Sequence, residues 1–465
     1  MAQRVFVLGL DCLEPSLVFE QFREHLPHFR RLMHQGSWGP LRSVHPPITV
    51  PAWACAASGY DAGQLGLYGF RNRSDTSYRG LSLALAHQVT RPRLWEHLDR
   101  AGLRSLVLGV PPLFPVPRLA HGAAVGCFLT PEGENVRWCE PPQFGQELAR
   151  VLGSPWMFDV APFRTENRQE LLKRIHRMTR LHFDAACHLA QSPHWDLIFL
   201  VHMGPDRLHH AFWQFFDPHH PQYPGADNPL REAVPEYYRF LDQQLGRLLK
   251  ALPSDVLLLV VSDHGACPLE GGIAVNQWLM ERGYLVLRRR PDQPTAWGEV
   301  EVDWSRTVAW SEGGYYARVF LNLQGREPQG VVPPGEYEAW RDRLAAEMEA
   351  LPGPDGEPIP TAVFRPEELF RECRGVAPDL ICYWGNLRYR SVGTVGGPLY
   401  WPGNDTGPDG ANHHWDGVFV SSRPLEQGPG QVQGLQLIDL GPSLLAHFGL
   451  PVPEDAAGEA AWRWA

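Results

Sequence analysis

The chain has 465 residues, 44% of them hydrophobic and 20% charged, with a formal net charge of -10. That length suits one large α/β domain with insertions or two to three domains, and it excludes a small scaffold held together by disulfides. The acidic balance argues against a surface that coats a nucleic-acid polymer, and no uncharged apolar run reaches the ~18–20 residues of a membrane-spanning helix.

The eight cysteines include no Cys-x-x-Cys pair, which predicts reduced, buried thiols in a cytoplasmic protein. Cys12 and Cys267 lie beside candidate ligands but are read as packing thiols. The N-terminal residues show no basic segment followed by a long apolar stretch, so no secretory signal is expected.

Residues 4–11 are an aliphatic run that predicts a buried strand ending in Asp11. Phe19, Phe22, Leu26, Phe29 and Leu32 then recur at helical spacing, predicting a helix packed on the sheet. From His45 to Gly59 a proline-stiffened extended loop becomes a small-residue helix after Pro51. Thr49 thus stands just before a helix N-terminus, where free backbone N–H groups attract an anion. Residues 105–110 predict a further core strand, 120–165 carry little pattern, and 171–189 predict a helix. Residues 195–206 read as a strand with Asp206 at its carboxyl end.

The amphipathic segment 233–252 leads into residues 256–265, Val-Leu-Leu-Leu-Val-Val-Ser-Asp-His-Gly. This run suits a strand buried on both faces of a parallel sheet, and it stops at a carboxylate, an imidazole and a glycine. Ligands of open α/β sheets bind at that strand edge. Residues 286–404 are rich in Gly, Pro, Trp and Tyr, with short strands such as 316–323, and predict a smaller cap subdomain inserted between residues 1–285 and 405–465. A strand over 417–421 and a helix over 436–448 close the chain. The alternation predicts an α/β fold in three layers, a mostly parallel sheet with helices on both faces.

Strand ends and adjoining loops supply Asp11, Thr49, Asp206 with His210, Asp263 with His264, and His413. Asp206 and His210 are four apart, so a helix after the strand would aim both at one ion, with His209 as the competitor. His414 competes with His413 in the same way. Singly each motif is weak, since an Asp at a strand end is commonly a helix cap.

In order, the chain carries Gly9-Leu-Asp11, Pro47-Ile-Thr-Val-Pro-Ala-Trp53, Asp206-x-x-x-His210 before Phe212-Trp213, Ser262-Asp-His-Gly265, Asn276-Gln-Trp-Leu279, Ala377-Pro-Asp-Leu380 and His413-x-x-x-Gly417. This series resembles the type I phosphodiesterase/nucleotide pyrophosphatase family of the alkaline phosphatase superfamily over nearly the whole length.

The resemblance implies two divalent ions, zinc by the family's habit with manganese as the alternative. One would be held by Asp11, Asp263, His264 and the Thr49 hydroxyl, the other by Asp206, His210 and His413. It implies hydrolysis of small-molecule phosphodiesters or nucleotide-type pyrophosphates through a Thr49-phosphoryl intermediate. The alternatives on the same scaffold are a phosphate monoesterase, a phosphonate-ester hydrolase, a phosphomutase, or a non-catalytic phosphate-ligand-binding protein. No membrane or nucleic-acid polymer is expected as a partner, and oligomeric state is left open. Ser58-Gly59 and Leu65-Gly66 stand where relatives carry Thr-Gly and His-Gly, close to the pocket for the phosphorus substituent. Trp53, Phe70, Arg71, Trp213 and Trp310 are candidates to line it, but aromatic residues at such positions more often pack, and the five are left unassigned.

Overall fold

The computed structural model describes residues 3–79 and 81–464. Its main sheet has ten strands: β1 (Val5–Leu10), β2 (Ser37–Arg42), β3 (Ser105–Leu108), β4 (Ala123–Val125), β5 (Cys139–Glu140), β6 (Leu197–His202), β7 (Leu257–Val261), β8 (Asp416–Ser421), β9 (Gly430–Gln431) and β10 (Leu435–Gln436). They lie in the order β9-β2-β8-β7-β1-β6-β3-β4-β5, with β10 also beside β2. Strands β7, β1, β6, β3 and β4 are mutually parallel. Their aliphatic side chains are buried on both faces, which is why they read as unbroken apolar runs. β8 runs antiparallel to both neighbours, so its first residues sit at the edge where the parallel strands end.

Strand alternation assigns the helical layers. Phe199 meets Trp53 and Trp95 on one face of β6, whereas His202 meets His182 and Phe183 on the other. The first face carries α1 (Thr49–Ser58), α2 (Leu94–Arg100) and, at the chain's end, Leu440–His447. The second carries Pro27–Gln35, Arg168–Ala190, Gly204–Phe216 and Ala233–Ala251. The result is the expected mostly parallel α/β sheet with helices on both faces.

A second, smaller core gathers Ile273, Trp278, Leu279, Trp310, Val319, Leu344, Leu380 and Trp384. Around it an antiparallel sheet runs in the order Ala309–Glu312, Ala317–Leu321, Leu380–Tyr383, Ala362–Phe364. No helix is long and apolar enough to cross a membrane among the described residues.

Several local expectations change. The apolar stripe from Phe19 to Leu32 is split into a π-turn (Leu17–Gln21), a 3-10 turn (Arg23–His25) and the helix Pro27–Gln35. Pro27 is the cause, because it pushes Leu26 out of helical geometry (φ -117°, ψ 69°). Helix α1 begins at Thr49, two residues before Pro51, which then occupies the third position, where no intrahelical N–H is needed.

The strand expected over 195–206 stops at His202, and Asp206 lies in the first turn of the Gly204–Phe216 helix, which Pro205 opens. The weakly patterned 120–165 segment contains a helix, Pro142–Leu152, whose buried positions are Gly145 and Leu148, too few to announce it. The closing helix is shortened to Leu440–His447 by β10 and a 3-10 turn at Leu437–Asp439.

Gly9 in β1 lets the fold approach the site closely. A Cβ there would stand 2.6 Å from the Trp53 ring and 2.8 Å from Val201. Gly9→Ala is expected to destabilise the protein by about 1–3 kcal/mol through this overpacking. An unchanged urea midpoint would show that the indole does not press on the strand.

Candidate active site

Five segments meet at the carboxyl edge of the parallel strands. Asp11 follows β1 directly, and Asp263 and His264 follow β7. Asp206 and His210 project from one face of the Gly204–Phe216 helix. Thr49 opens α1. His413 lies on the short strand Ala411–His414, which pairs antiparallel with Gly265–Pro268 and leads into β8. All seven side chains are at most 2% exposed.

They form two adjoining sets, Asp11 with Asp263 and His264, and Asp206 with His210 and His413. The His264 and His413 rings stack between them at 3.7 Å. Within the first set His264 Nε2 is 3.2 Å from Asp263 Oδ2, 3.9 Å from Asp11 Oδ1 and 3.3 Å from Thr49 Oγ1. Within the second, His210 Nε2 is 3.3 Å from both Asp206 Oδ1 and His413 Nε2, and His413 Nε2 is 3.7 Å from Asp206 Oδ1. Ligands at ~2.0–2.1 Å from a tetrahedral ion stand about 3.4 Å apart, so both sets have the spacing of a coordination shell.

Three buried oxygens test the fit to cations. Asp11 Oδ1, Asp206 Oδ1 and Asp263 Oδ2 each lack a hydrogen-bond partner, and each is the oxygen that faces its imidazoles. Unpaired buried carboxylate oxygens are costly unless a cation meets them.

The imidazoles are oriented for the same purpose. Nδ1 of His210 bonds Asp409 Oδ1 at 2.7 Å, Nδ1 of His413 bonds Pro47 O at 2.9 Å, and Nδ1 of His264 bonds Gly265 O at 3.0 Å. With Nδ1 engaged as donor, each Nε2 turns toward the centre, the arrangement metal-binding histidines adopt.

The electrostatics agree. Burial, and then the charge of Asp206, push the Asp11 carboxyl well up; burial, and then Asp11, do the same to Asp263. Burial opposes ionisation of Asp206 too, but His210 and Arg207 outweigh it and hold that carboxyl well below its ordinary value. Burial pulls the His210 imidazole down while Asp409 and Asp206 drive it well up, so a strong negative field surrounds it. Burial lowers His264 to about 4, leaving its nitrogen unprotonated at neutral pH.

The competitors are placed elsewhere. His209 Nε2 pairs with Tyr238 Oη at 3.0 Å, and His414, the strand neighbour of His413, projects away from it. Burial pushes the thiols of Cys12 and Cys267 up, the latter to about 12, and their sulfurs contact the carbonyls of Gly265 and His413. Trp53 is more than packing, since its Nε1 donates to Asp11 Oδ2 at 2.7 Å. Trp310 belongs to the second core, Trp213 stacks edge-on with Phe216, and Arg71 is exposed.

The outer residues had no signal in the sequence. Asp409 lies in Gly407-Pro-Asp-Gly410, which reads as a turn, yet it bonds His210 and is met by Arg164 and Arg390. Arg207 reaches Asp206 at 2.6 Å while Asp159 grips it at 2.7 and 2.8 Å.

The family model described as type I phosphodiesterase / nucleotide pyrophosphatase matches residues 5–409. The chain belongs to that family. It is a metal-dependent phosphoester hydrolase with an alkaline phosphatase-like fold.

Solved structures similar to it include phosphonoacetate hydrolase from Sinorhizobium meliloti in complex with phosphonoacetate, with a TM-score of 0.60, 16% identity and 94% of each chain covered. Human ectonucleotide pyrophosphatase / phosphodiesterase 5 matches with a TM-score of 0.53 and 15% identity over 97% of this chain and 96% of its own. The murine counterpart, an inactive threonine-to-alanine variant bound to AMP, matches at 0.54 and 16% over 98% and 97%. A comparison with curated proteins finds no match.

Asp409→Asn removes the carboxylate that orients His210, and is expected to weaken metal binding at the His210 set by about 10–100-fold in a calorimetric titration. Acid should also weaken what two buried histidines contribute to the stability of the chelator-treated protein. Burial holds His182 and His45 near 4, from an ordinary 6.5, so unfolding takes up protons between those values. The stability these two histidines contribute is therefore complete above about pH 6.5 and falls toward about pH 4, so between about pH 7.5 and about pH 5 the urea midpoint should drop further in wild type than in a His45→Phe variant.

Proposed function

We propose that the protein hydrolyses small phosphodiesters or nucleotide-type pyrophosphates with Thr49 as the nucleophile. Asp11, Asp263, His264 and the Thr49 hydroxyl would hold one divalent ion and Asp206, His210 and His413 a second, zinc or manganese in each case. The observation that carries this reading is the trio of unpartnered carboxylate oxygens, each facing imidazole nitrogens at coordination spacing, with Thr49 Oγ1 against one of them.

Two such cations would lower the pKa of the Thr49 hydroxyl and offset charge on the phosphoryl oxygens. The chain supplies the remaining requirements. α1 has no side-chain cap at Ile48, so its first backbone N–H groups are free to bind a phosphoryl oxygen at the positive end of the helix. The hydroxyl of Thr49, a residue 1% exposed, is aimed by a rigid helical turn. Its attack on phosphorus expels the first alcohol or phosphate, and water arriving from the opposite side then releases the phosphoryl group from Thr49.

The segment 286–404 is proposed as a cap that shapes the entrance, on the strength of Tyr315, whose ring stacks on His413 at 4.0 Å. Phosphonate esters and phosphate monoesters remain the competing substrates.

Thr49→Ala is expected to keep both metal equivalents by elemental analysis while losing at least about a thousandfold in turnover; near-normal turnover would refute the nucleophile. Chelation should abolish activity and zinc or manganese restore it. A panel of phosphate diesters, phosphate monoesters, phosphonate monoesters and sulfate esters would then rank the substrate classes, and turnover of none of them would refute the reading.

A further inference from the structure

Tyr315 belongs to neither ligand set, yet it reaches one of them. The residue is 9% exposed, and its Oη lies 3.5 Å from His210 Nε2. Its placement is held from several sides. Asn412 Nδ2 donates to Tyr315 O at 3.2 Å, the ring stacks on His413, and the Arg390 guanidinium lies 4.3 Å from the ring centroid.

Among the described residues His210 Nε2 is the single hydrogen-bond partner of Oη, and that nitrogen is the one the second set would commit to metal. The phenol O–H then faces the centre with no acceptor in the protein. Buried hydroxyls rarely go unpartnered, so a group brought by the substrate is the natural acceptor.

We infer that Tyr315 is a catalytic residue that donates a hydrogen bond to the leaving oxygen of the phosphoester, an inference that rests on the two-set, Thr49-nucleophile reading above. Thr49 Oγ1 stands beside His264 in the first set, whereas Tyr315 Oη stands beside His210 in the second. In-line displacement between two such sets places the entering and departing oxygens on opposite sides of phosphorus, so the group across from Thr49 meets the departing one. As the bond from Thr49 Oγ1 to phosphorus forms, the bond to the leaving oxygen breaks and its electron pair moves onto that oxygen. Tyr315 keeps its proton and shares it there. Solvent accepts the proton lost by Thr49 and supplies the one that completes the alcohol.

A hydrogen bond of this kind matters more as the leaving oxygen carries more charge, which sets the test. Wild type and Tyr315→Phe, both loaded with metal, are assayed on aryl phosphate esters whose phenols run from 4-nitrophenol to phenol. The variant keeps the ring and its stacking on His413. The expected loss in kcat/KM is within about 3-fold for the 4-nitrophenyl ester and about 10–100-fold for the phenyl ester, with metal stoichiometry by elemental analysis unchanged. An equal loss on every ester, or a lost metal equivalent in the variant, would overturn the inference and make Tyr315 a structural residue or a ligand. Failure of wild type itself on every ester would instead bring down the underlying reading.

Discussion

Three carboxylates that lie fully inside the protein, Asp11, Asp206 and Asp263, converge on one strand edge, and their mutual repulsion is the constraint the structure depends on. The low polarity of the surroundings magnifies it. Arg207 and His210 settle one of the three, while Asp11 and Asp263 are left facing His264 with an oxygen apiece unmet. A fold that tolerates this arrangement spends stability on cation affinity, because the same groups arranged for stability alone would be paired with one another or replaced by apolar side chains.

The second ring of residues makes that concentration of charge directional. Trp53 takes one oxygen of Asp11 and leaves the other toward the centre. Asp409, Pro47 O and Gly265 O take Nδ1 of the three histidines. Asp409 is itself held by Arg164 and Arg390, so the orientation of His210 is anchored by two cations drawn from distant segments. Gly9 belongs to the same system, since only a residue without a side chain leaves room for the indole that directs Asp11. Supporting partners of this kind fix ligand geometry as firmly as the ligands themselves.

The smaller core contributes from the other side. Arg318 donates to Arg71 O and Tyr316 to Tyr68 O, while Arg73 pairs with Glu327 in a fully enclosed bridge, 3% and 0% exposed. These contacts lock the segment after α1 against the 309–321 strands, so the helix bearing Thr49 and the strand region bearing Tyr315 are held as one unit. Both residues thereby approach the candidate metal-binding edge from parts of the chain more than two hundred residues apart.

The sequence by itself determined the strands that end in Asp11 and Asp263, because aliphatic runs buried on both faces have no other reading at that length. It offered Asp206 with His210 at one helical turn, with His209 as competitor until the family pattern Asp-x-x-x-His chose between them. It could not place Asp206 on the helix rather than the strand, nor start α1 at Thr49, because Gly-Pro and Pro-Ala junctions suit either side of a boundary. His413 was preferred to His414 only through the family spacing to Gly417, while the use of Asp409 and Trp53 and the approach of Tyr315 were decided by tertiary structure alone. Each depends on which face of a strand or loop turns inward, and that is set by the packing of segments that carry no trace of one another in their local pattern.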